Sequence, residues 1–362
     1  MTPLTGITAP AGGRAKTGAP SAIARIAVLG ASGYSGQEFA RLALDHPGLA
    51  LAALVSREQA GRPAADLLPG VDPRAATLPA VVAPAALPAL LEAGAFDTLV
   101  CCLPHGVWAG LAAEHPALAK DPRRIVDVSS DFRAAAFDGG SDYVYGLPEA
   151  FREAIPGATR IANPGCYPTA ALLALLPVAE ARRLAGPVSI TALSGVSGAG
   201  RSPALKTSFV ELEGGASIYK AGTAHPHVPE MERALARVAG DAIPVGFVPQ
   251  LVPMARGILL TATATLAHAV TPEAIHAAYA ERYAGEPFVR VLAPGVWPET
   301  RAVRGSNRCD LAVTTLHDGR TLLATAAIDN LVKGAAGQAI QNLNLMLGWP
   351  ETTGLPPHGS PW

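Results

Sequence analysis

The chain has 362 residues, 49% of them hydrophobic and 16% charged, with 28 Lys+Arg against 29 Asp+Glu. That length supports two domains with a sizeable core, and the even charge balance excludes a nucleic-acid surface or an acidic tail, leaving a small molecule as the expected partner. Four cysteines, at 101, 102, 166 and 309, form neither CxxC pairs nor a disulfide framework, which fits a reducing, cytoplasmic compartment and argues against a metal site.

Residues 1–20, "MTPLTGITAPAGGRAKTGAP", lack the unbroken apolar run of a signal peptide and read as a disordered extension. Prolines interrupt every long apolar stretch, as in "LPAVVAPAALPALLEAGAF", so no membrane span is expected. The ordered chain opens with "ARIAVLGASGYSGQEFARLALDHPG". Its apolar run Ile26 to Leu29 reads as a strand, followed directly by glycines 30, 33 and 36 and then by Phe39, Leu42 and Ala43 at helical spacing, until "DHPG" ends the helix. "LALAALVS", "FDTLVCCLP" and "RIVDVSSDF" supply further buried strands with helical stretches between them, the pattern of a Rossmann-type, doubly wound parallel sheet.

After Cys166 the segments "GPVSITALSGVSG", "GFVPQLVPMARGILLTATATLAHAV" and "CDLAVTTLHDGRTLLATAAID" alternate apolar and polar residues. Such alternation predicts a second, α+β domain with a largely antiparallel sheet covered on one face. In "NLVKGAAGQAIQNLNLMLGWP", Ala336, Ile340, Leu343 and Leu347 share a helical face, and Gly348 with Pro350 ends the helix. The predicted organisation is a nucleotide domain over residues 21–164 completed by the returning helix 330–348, a catalytic and oligomerisation domain over 165–329, and a tail from 349 to 362.

The loop "GASGYSG" reads GxxGxxG, with Ser32 where the commoner dinucleotide fingerprint has glycine. Gly30, Ser32, Gly33, Tyr34, Ser35 and Gly36 would bring backbone N–H groups and a helix N-terminus against a pyrophosphate. At the end of the second strand, where NAD enzymes place an acid for the ribose 2′-hydroxyl, the chain has Ser56 and Arg57, which favour the 2′-phosphate of NADP.

"NPGCYPTAALLALL" sets Cys166 two residues before Pro168, at the start of an apolar helix. A sulfur there is stabilised as thiolate by unpaired N–H groups and the helix dipole, and the Asn163 amide would serve an oxyanion. Cys101, Cys102 and Cys309 lie in apolar or alternating strands and read as packing residues. "AGTAHPHVPEME" offers His225 and His227 as acid/base partners; Pro226 between them predicts an extended segment whose rings point to opposite sides. "SGVSGAGR" is a small-residue loop whose backbone, at Ser197 and Gly198, would lie against a flat ring.

Together these stretches resemble the N-acetyl-γ-glutamyl-phosphate reductases of arginine biosynthesis, relatives of aspartate-semialdehyde dehydrogenase. The resemblance rests on "VLGASGYSGQE", "LVSREQAG", "CCLPHGV", "VDVSSDFR", "YGLPE", "NPGCYPTA", "SGVSGAGR", "HPHVPE", "LVPMARGI", "VRGSNRCD" and "DNLVKGAAGQAIQN", in family order from residue 24 to 348. It implies NADPH-dependent reduction of N-acetyl-L-glutamyl 5-phosphate to the 5-semialdehyde through a thioester on Cys166, with His225 or His227 exchanging the proton. It also implies a cofactor contact from Asn330, substrate contacts from Arg133 and Arg201, and a homodimer or homotetramer. Two positions depart from the family pattern: Gln250 stands where members often have His, and Pro226 where a basic residue is common. The rival expectations are a sister reductase, acting on aspartyl phosphate or on a carrier-protein-linked aminoadipyl or glutamyl phosphate, and a dinucleotide-binding regulator without catalysis.

Overall fold

The computed structural model describes residues 23–72 and 78–360; the expected extension over residues 1–20 lies outside them. The described chain divides into two compact units. One comprises residues up to 165 together with 335–355, the other 166–334 together with 356–360.

The first unit is built on strands β1 (Ala24–Leu29), β2 (Leu49–Val55), β3 (Val81–Val82), β4 (Thr98–Cys101), β5 (Arg124–Asp127), β6 (Tyr143–Tyr145) and β7 (Arg160–Ala162). They form one sheet in the order β3-β2-β1-β4-β5-β7-β6, with every pairing parallel. Helices on both sides explain the continuous apolar runs: Leu29, Val55, Leu99, Cys101, Trp108 and Ile125 share one core cluster. The order reverses at β1, so a crevice opens beyond the carboxyl ends of β1 and β4, and there the glycine loop runs into the helix Tyr34–Leu44. The final helix, Gly337–Met346, belongs to this unit and packs on the Tyr34–Leu44 helix and on β5. Its Asn342 amide donates to the Gly146 carbonyl at 2.9 Å and to Asn163 Oδ1 at 3.0 Å.

The second unit holds β8 (Leu184–Ser194), β9 (Ser217–Ile218), β10 (Val245–Leu251), β11 (Ile258–Leu266), β12 (Val289–Val291), β13 (Cys309–Leu316) and β14 (Thr321–Ile328), in the order β12-β13-β14-β11-β8-β10-β9. Its pairings are antiparallel except β10 on β8 and β12 on β13. One face is covered by the helices Cys166–Glu180, His227–Ala239 and Pro272–Tyr283. The first of these is apolar all round and buried from Tyr167 to Ala179, as a helix without a polar face must be. Pro177 inside it has no N–H for the Leu173 carbonyl four residues earlier. The Tyr283 hydroxyl supplies that donor at 2.5 Å, and Tyr279 donates to Ala174 O at 2.7 Å, locking the Cys166 helix to its neighbour.

The opposite sheet face carries no charge along its central rows. Register places Val248, Thr191, Thr261, Thr325 and Ala312 in one row and Gly246, Ser189, Thr263, Leu323 and Thr314 in the next. The residues expected as a tail divide between the units: 349–355 lie with the first and 356–360 with the second. There the Asn307 N–H reaches the Pro356 carbonyl and the Ser360 N–H reaches that of Arg304.

Candidate active site

In the first unit the three loop glycines perform different tasks. Gly30 has φ 81°, and a Cβ on it would lie 2.2 Å from the Cys102 carbonyl oxygen. A Cβ on Gly36 would lie 2.4 Å from Gly30 O, so this glycine lets the helix close on the turn. Gly33 sits before the first helical residue at φ −77°, where any residue fits, and its Cβ would meet only Gly30 O at an ordinary 3.4 Å. Nothing inside the fold demands glycine there. A bare backbone beside a helix N-terminus that no side chain caps is what close approach of a pyrophosphate requires. The loop therefore fits a dinucleotide, with Tyr34, Ser35 and Gly36 supplying first-turn N–H groups.

Ser56 is buried; its hydroxyl donates to Ser32 Oγ at 3.0 Å and accepts from the Gln59 N–H at 3.2 Å. It holds the strand end to the loop instead of facing a 2′-phosphate, which corrects the expectation for this residue. Arg57 is exposed and makes no hydrogen bond or ion pair among the described residues, and Glu58 is exposed beside it.

Two further expectations change at the end of β5. The Arg133 guanidinium is buried and donates to the carbonyls of Asn163 and Val128, both at 2.8 Å, so it is an internal brace and not a substrate contact. The Asn163 amide, fully buried, faces the carbonyls of Pro164 at 3.4 Å and Ala335 at 3.3 Å, leaving no hydrogen for an oxyanion. Its role is to anchor the chain that leads to Cys166. Beside this knot, burial pushes the Asp127 carboxyl up to about 6, against the favourable bonds from Ser129 and the charge of Arg133. Asp131 accepts the N–H groups of Gly106 at 2.6 Å and Ala109 at 2.9 Å and so fixes the start of the helix Val107–Glu114.

In the second unit Cys166 is the first residue of its helix and half-buried. Its sulfur therefore belongs to the turn where N–H groups lack helical partners and the dipole is positive. Gly334 lies against it: a Cβ there would come 2.7 Å from Cys166 Cβ.

The histidines are not splayed apart. Their ring centroids are 4.8 Å apart, because Pro226 adopts φ −62°, ψ −16° and opens the helix His227–Ala239 instead of continuing an extended strand. His225 itself remains extended, as a residue before proline should. His225 is buried, its Nδ1 accepts the His227 N–H at 3.1 Å, and burial followed by the charge of Lys220 lowers its pKa to about 4. It is neutral at physiological pH, with its proton on Nε2 by that hydrogen-bond assignment.

Around this pair stand residues that the motifs did not single out. Tyr167 meets His225 and His227 edge-on at 5.6 and 5.9 Å, Tyr219 meets His225 at 5.8 Å, and Phe247 meets it at 5.1 Å. The two tyrosine hydroxyls are 2.6 Å apart, and Tyr167 also bonds Ser194. Burial pushes the Tyr219 phenol up to about 12, and the nearby Cys166 charge adds to it. The result is a dry aromatic wall with neutral hydrogen-bonding groups beside one cysteine.

Two family models cover the units in turn. Residues 25–158 match the one described as semialdehyde dehydrogenase, NAD binding domain, and residues 166–330 the one described as semialdehyde dehydrogenase, dimerisation domain. The chain is 46% identical over 345 residues to the N-acetyl-gamma-glutamyl-phosphate reductase of Acidothermus cellulolyticus, across 92% of this chain and 97% of that one. To the reductase of the same name from Thermus thermophilus it is 45% identical over 359 residues, across 92% and 99%. The chain belongs to the N-acetyl-gamma-glutamyl-phosphate reductase family. Among solved structures, aspartate semialdehyde dehydrogenase II from Vibrio cholerae shares the fold at a TM-score of 0.69 and 18% identity, across 89% of this chain and 98% of that one. The enzyme from Candida albicans, solved with NADP, does so at 0.66 and 16%, across 90% and 98%.

Within this reductase family member, "SGVSGAGR" is held from below. Asn330 Nδ2 donates to Ser197 Oγ at 3.0 Å while its Oδ1 accepts the Gly257 N–H at 2.6 Å, so Asn330 braces the loop. Arg256 forms a two-point pair with buried Asp329, at 2.8 and 3.0 Å. Asp329 also accepts the N–H groups of Gly305, Leu331 and Val332. Gly198 and Arg201 are exposed along the same loop. Asp329, Arg256 and Ser194 escaped the sequence reading because their partners lie far along the chain; Tyr167 and Tyr219 had a signal, since each neighbours a motif.

Proposed function

We propose that the protein reduces N-acetyl-L-glutamyl 5-phosphate to N-acetyl-L-glutamate 5-semialdehyde with NADPH, releasing phosphate through a thioester on Cys166. The observation that carries this is Cys166 as the first residue of a buried helix, beside a close histidine pair and two coupled tyrosines, in a chain of that reductase family.

The helix end favours the thiolate. As sulfur attacks the acyl carbon, the C–S bond forms and the bond to phosphate oxygen breaks, with the thiol proton passing through His227 to the departing phosphate. His227 takes this role because His225 is held neutral by burial and its Nδ1 is engaged; the Nε2–H of His225 is left to donate to oxygen. Bound NADPH supplies the hydride that reduces the thioester. Gly30, Gly33 and Gly36 with the first-turn N–H groups would hold its pyrophosphate, and Arg57 would be the charge for its 2′-phosphate. Collapse of the thiohemiacetal breaks the C–S bond, and the sulfur recovers a proton from solvent.

The assembly we infer is a homodimer through the face of the second unit's sheet whose central rows are uncharged. An exposed monomer face should carry Lys and Glu, and this one carries Ser, Thr, Leu and Val instead. Five strands at about 4.8 Å by seven residues at about 3.3 Å make roughly 550 Å² of sheet plane per copy, near the lower limit for a specific interface. Among the described residues no helix is long and apolar enough to cross a membrane, and the four free cysteines suit the cytoplasm.

The deciding assay runs the reaction backward: NADP reduction with phosphate and either N-acetylglutamate 5-semialdehyde or aspartate semialdehyde. Turnover is expected only with the first and only when phosphate is present; turnover with aspartate semialdehyde alone would replace the proposed substrate.

A further inference from the structure

One charged side chain at the wall of the cysteine site has no part in the chemistry above. Lys220 follows Tyr219, is exposed, and has left-handed backbone at φ 45°. Such backbone is unfavourable for any residue with a Cβ, and strain of this kind persists where its surroundings over-determine it. Both flanks do so here. Tyr219 is tied by its N–H to the Pro249 carbonyl at 3.3 Å and by its hydroxyl to Tyr167. On the other side the turn Gly222–Ala224 leads straight into buried His225.

The ammonium makes no hydrogen bond or ion pair among the described residues, although it is close enough for its charge to hold down the proton affinity of His225. Arg256, in the same unit, is closed off by Asp329. A lysine fixed by strained backbone beside a neutral histidine, with no carboxylate against it, is a cation that still needs an anion.

We propose that Lys220 receives the phosphoryl group of the acyl phosphate, placing its ammonium against the phosphate oxygens beside the wall formed by Tyr219 and His225. This rests on the acyl-phosphate reductase reading and names the residue that recognises the leaving group. When the C–O bond to phosphate breaks, the electron pair moves onto an oxygen next to a fixed positive charge. Until then the same charge adds to burial in keeping His225 neutral.

The test measures the phosphate KM of the reverse reaction, with N-acetylglutamate 5-semialdehyde and NADP, in wild type and in Lys220→Gly, Lys220→Met and Lys220→Arg. Lys220→Gly removes the charge while relieving the backbone strain, so its fold is secure. Both neutral variants should raise the phosphate KM about 10- to 100-fold, the range for losing one charge-assisted hydrogen bond, with the KM for NADP within about threefold. Lys220→Arg should recover most of the loss. An unchanged phosphate KM in Lys220→Gly, or a fall in kcat without a change in KM, overturns the proposal. Wild type without phosphate-dependent turnover overturns the acyl-phosphate reading itself, a separate result.

Discussion

The nucleotide unit and the catalytic unit present chemistry in opposite ways. Around the glycine loop the working groups belong to the backbone: two glycines exist because a Cβ would collide with carbonyl oxygens at 2.2 and 2.4 Å, while a third has no such neighbour and is proposed to leave room for the dinucleotide. Around Cys166 the working groups are side chains, and the backbone serves only to bring Tyr167, Tyr219, His225 and His227 edge to edge. A backbone site fails through geometry and takes the fold with it; a side-chain site fails through chemistry and leaves the fold standing.

The sharpest way to separate the two is Cys166→Ala. Turnover should drop by at least about 10⁴-fold while NADPH binding, followed by fluorescence, and thermal stability stay at wild-type values. Retained reductase activity in protein whose mass excludes wild-type carry-over would return Cys166 to a packing role. Gly30→Ala should do the reverse. With φ 81° and a 2.2 Å clash against Cys102 O, it should lose about 3 kcal/mol or more of stability in urea titrations. Gly33→Ala is its control, folding normally but binding NADPH at least about tenfold more weakly. Equal stability loss in both variants would erase the distinction drawn between the glycines.

Asp127 gives a pH signature. Its carboxyl titrates near 6 when folded against 3.8 unfolded, so the folded state binds more protons between these values and stability falls as pH rises through that window. His225 has the opposite sign, titrating near 4 when folded against 6.5 unfolded, so it removes stability as pH falls through its own window. The comparison with wild type isolates the first: Asp127→Asn should gain on the order of 2 kcal/mol relative to wild type between pH 4 and 7, read from urea midpoints. A constant difference across pH would show that Asp127 keeps its charge. The smallest effect belongs to Arg57→Ala, which should weaken NADPH about tenfold and leave NADH unchanged in direct titrations; equal NADH and NADPH affinity in wild type would remove its basis.

The backbone-built region was the more legible one in the amino-acid sequence. GxxGxxG between an apolar run and a helical run states its geometry in local spacing, and the Cys166 helix start is equally local. The strands β3, β6 and β7, of two or three residues, carry no detectable period. The parallel pairings of β10 with β8 and β12 with β13 were invisible because alternation reports which face is buried, not strand direction. The residue before a proline is extended, as His225 is, but the proline itself is free to start a helix, and this reunited two rings expected to diverge. Arg133, Asn163 and Asn330 were read as ligand contacts because polar residues in recognisable motifs draw that inference. Three of their carbonyl and hydroxyl partners, Asn163 for Arg133, Ser197 for Asn330 and Ala335 for Asn163, lie 30 to 172 positions away, a distance no local pattern spans.

The final helix has a consequence for the newborn chain. Residues 335–355 complete the nucleotide unit, and Asn342 fills sockets formed by Gly146 and Asn163. When residue 165 leaves the ribosome, about 170 residues must still be made before the helix arrives, roughly 10 to 30 s at typical elongation rates. Through that interval the Gly146 carbonyl and the Asn163 side chain wait without their partner, while the whole second unit emerges between the two halves of the first. The catalytic unit is thereby the earlier of the two to hold nearly all of its sequence, and the dinucleotide-binding half, begun first, waits through nearly all of the other's synthesis for its closing segment.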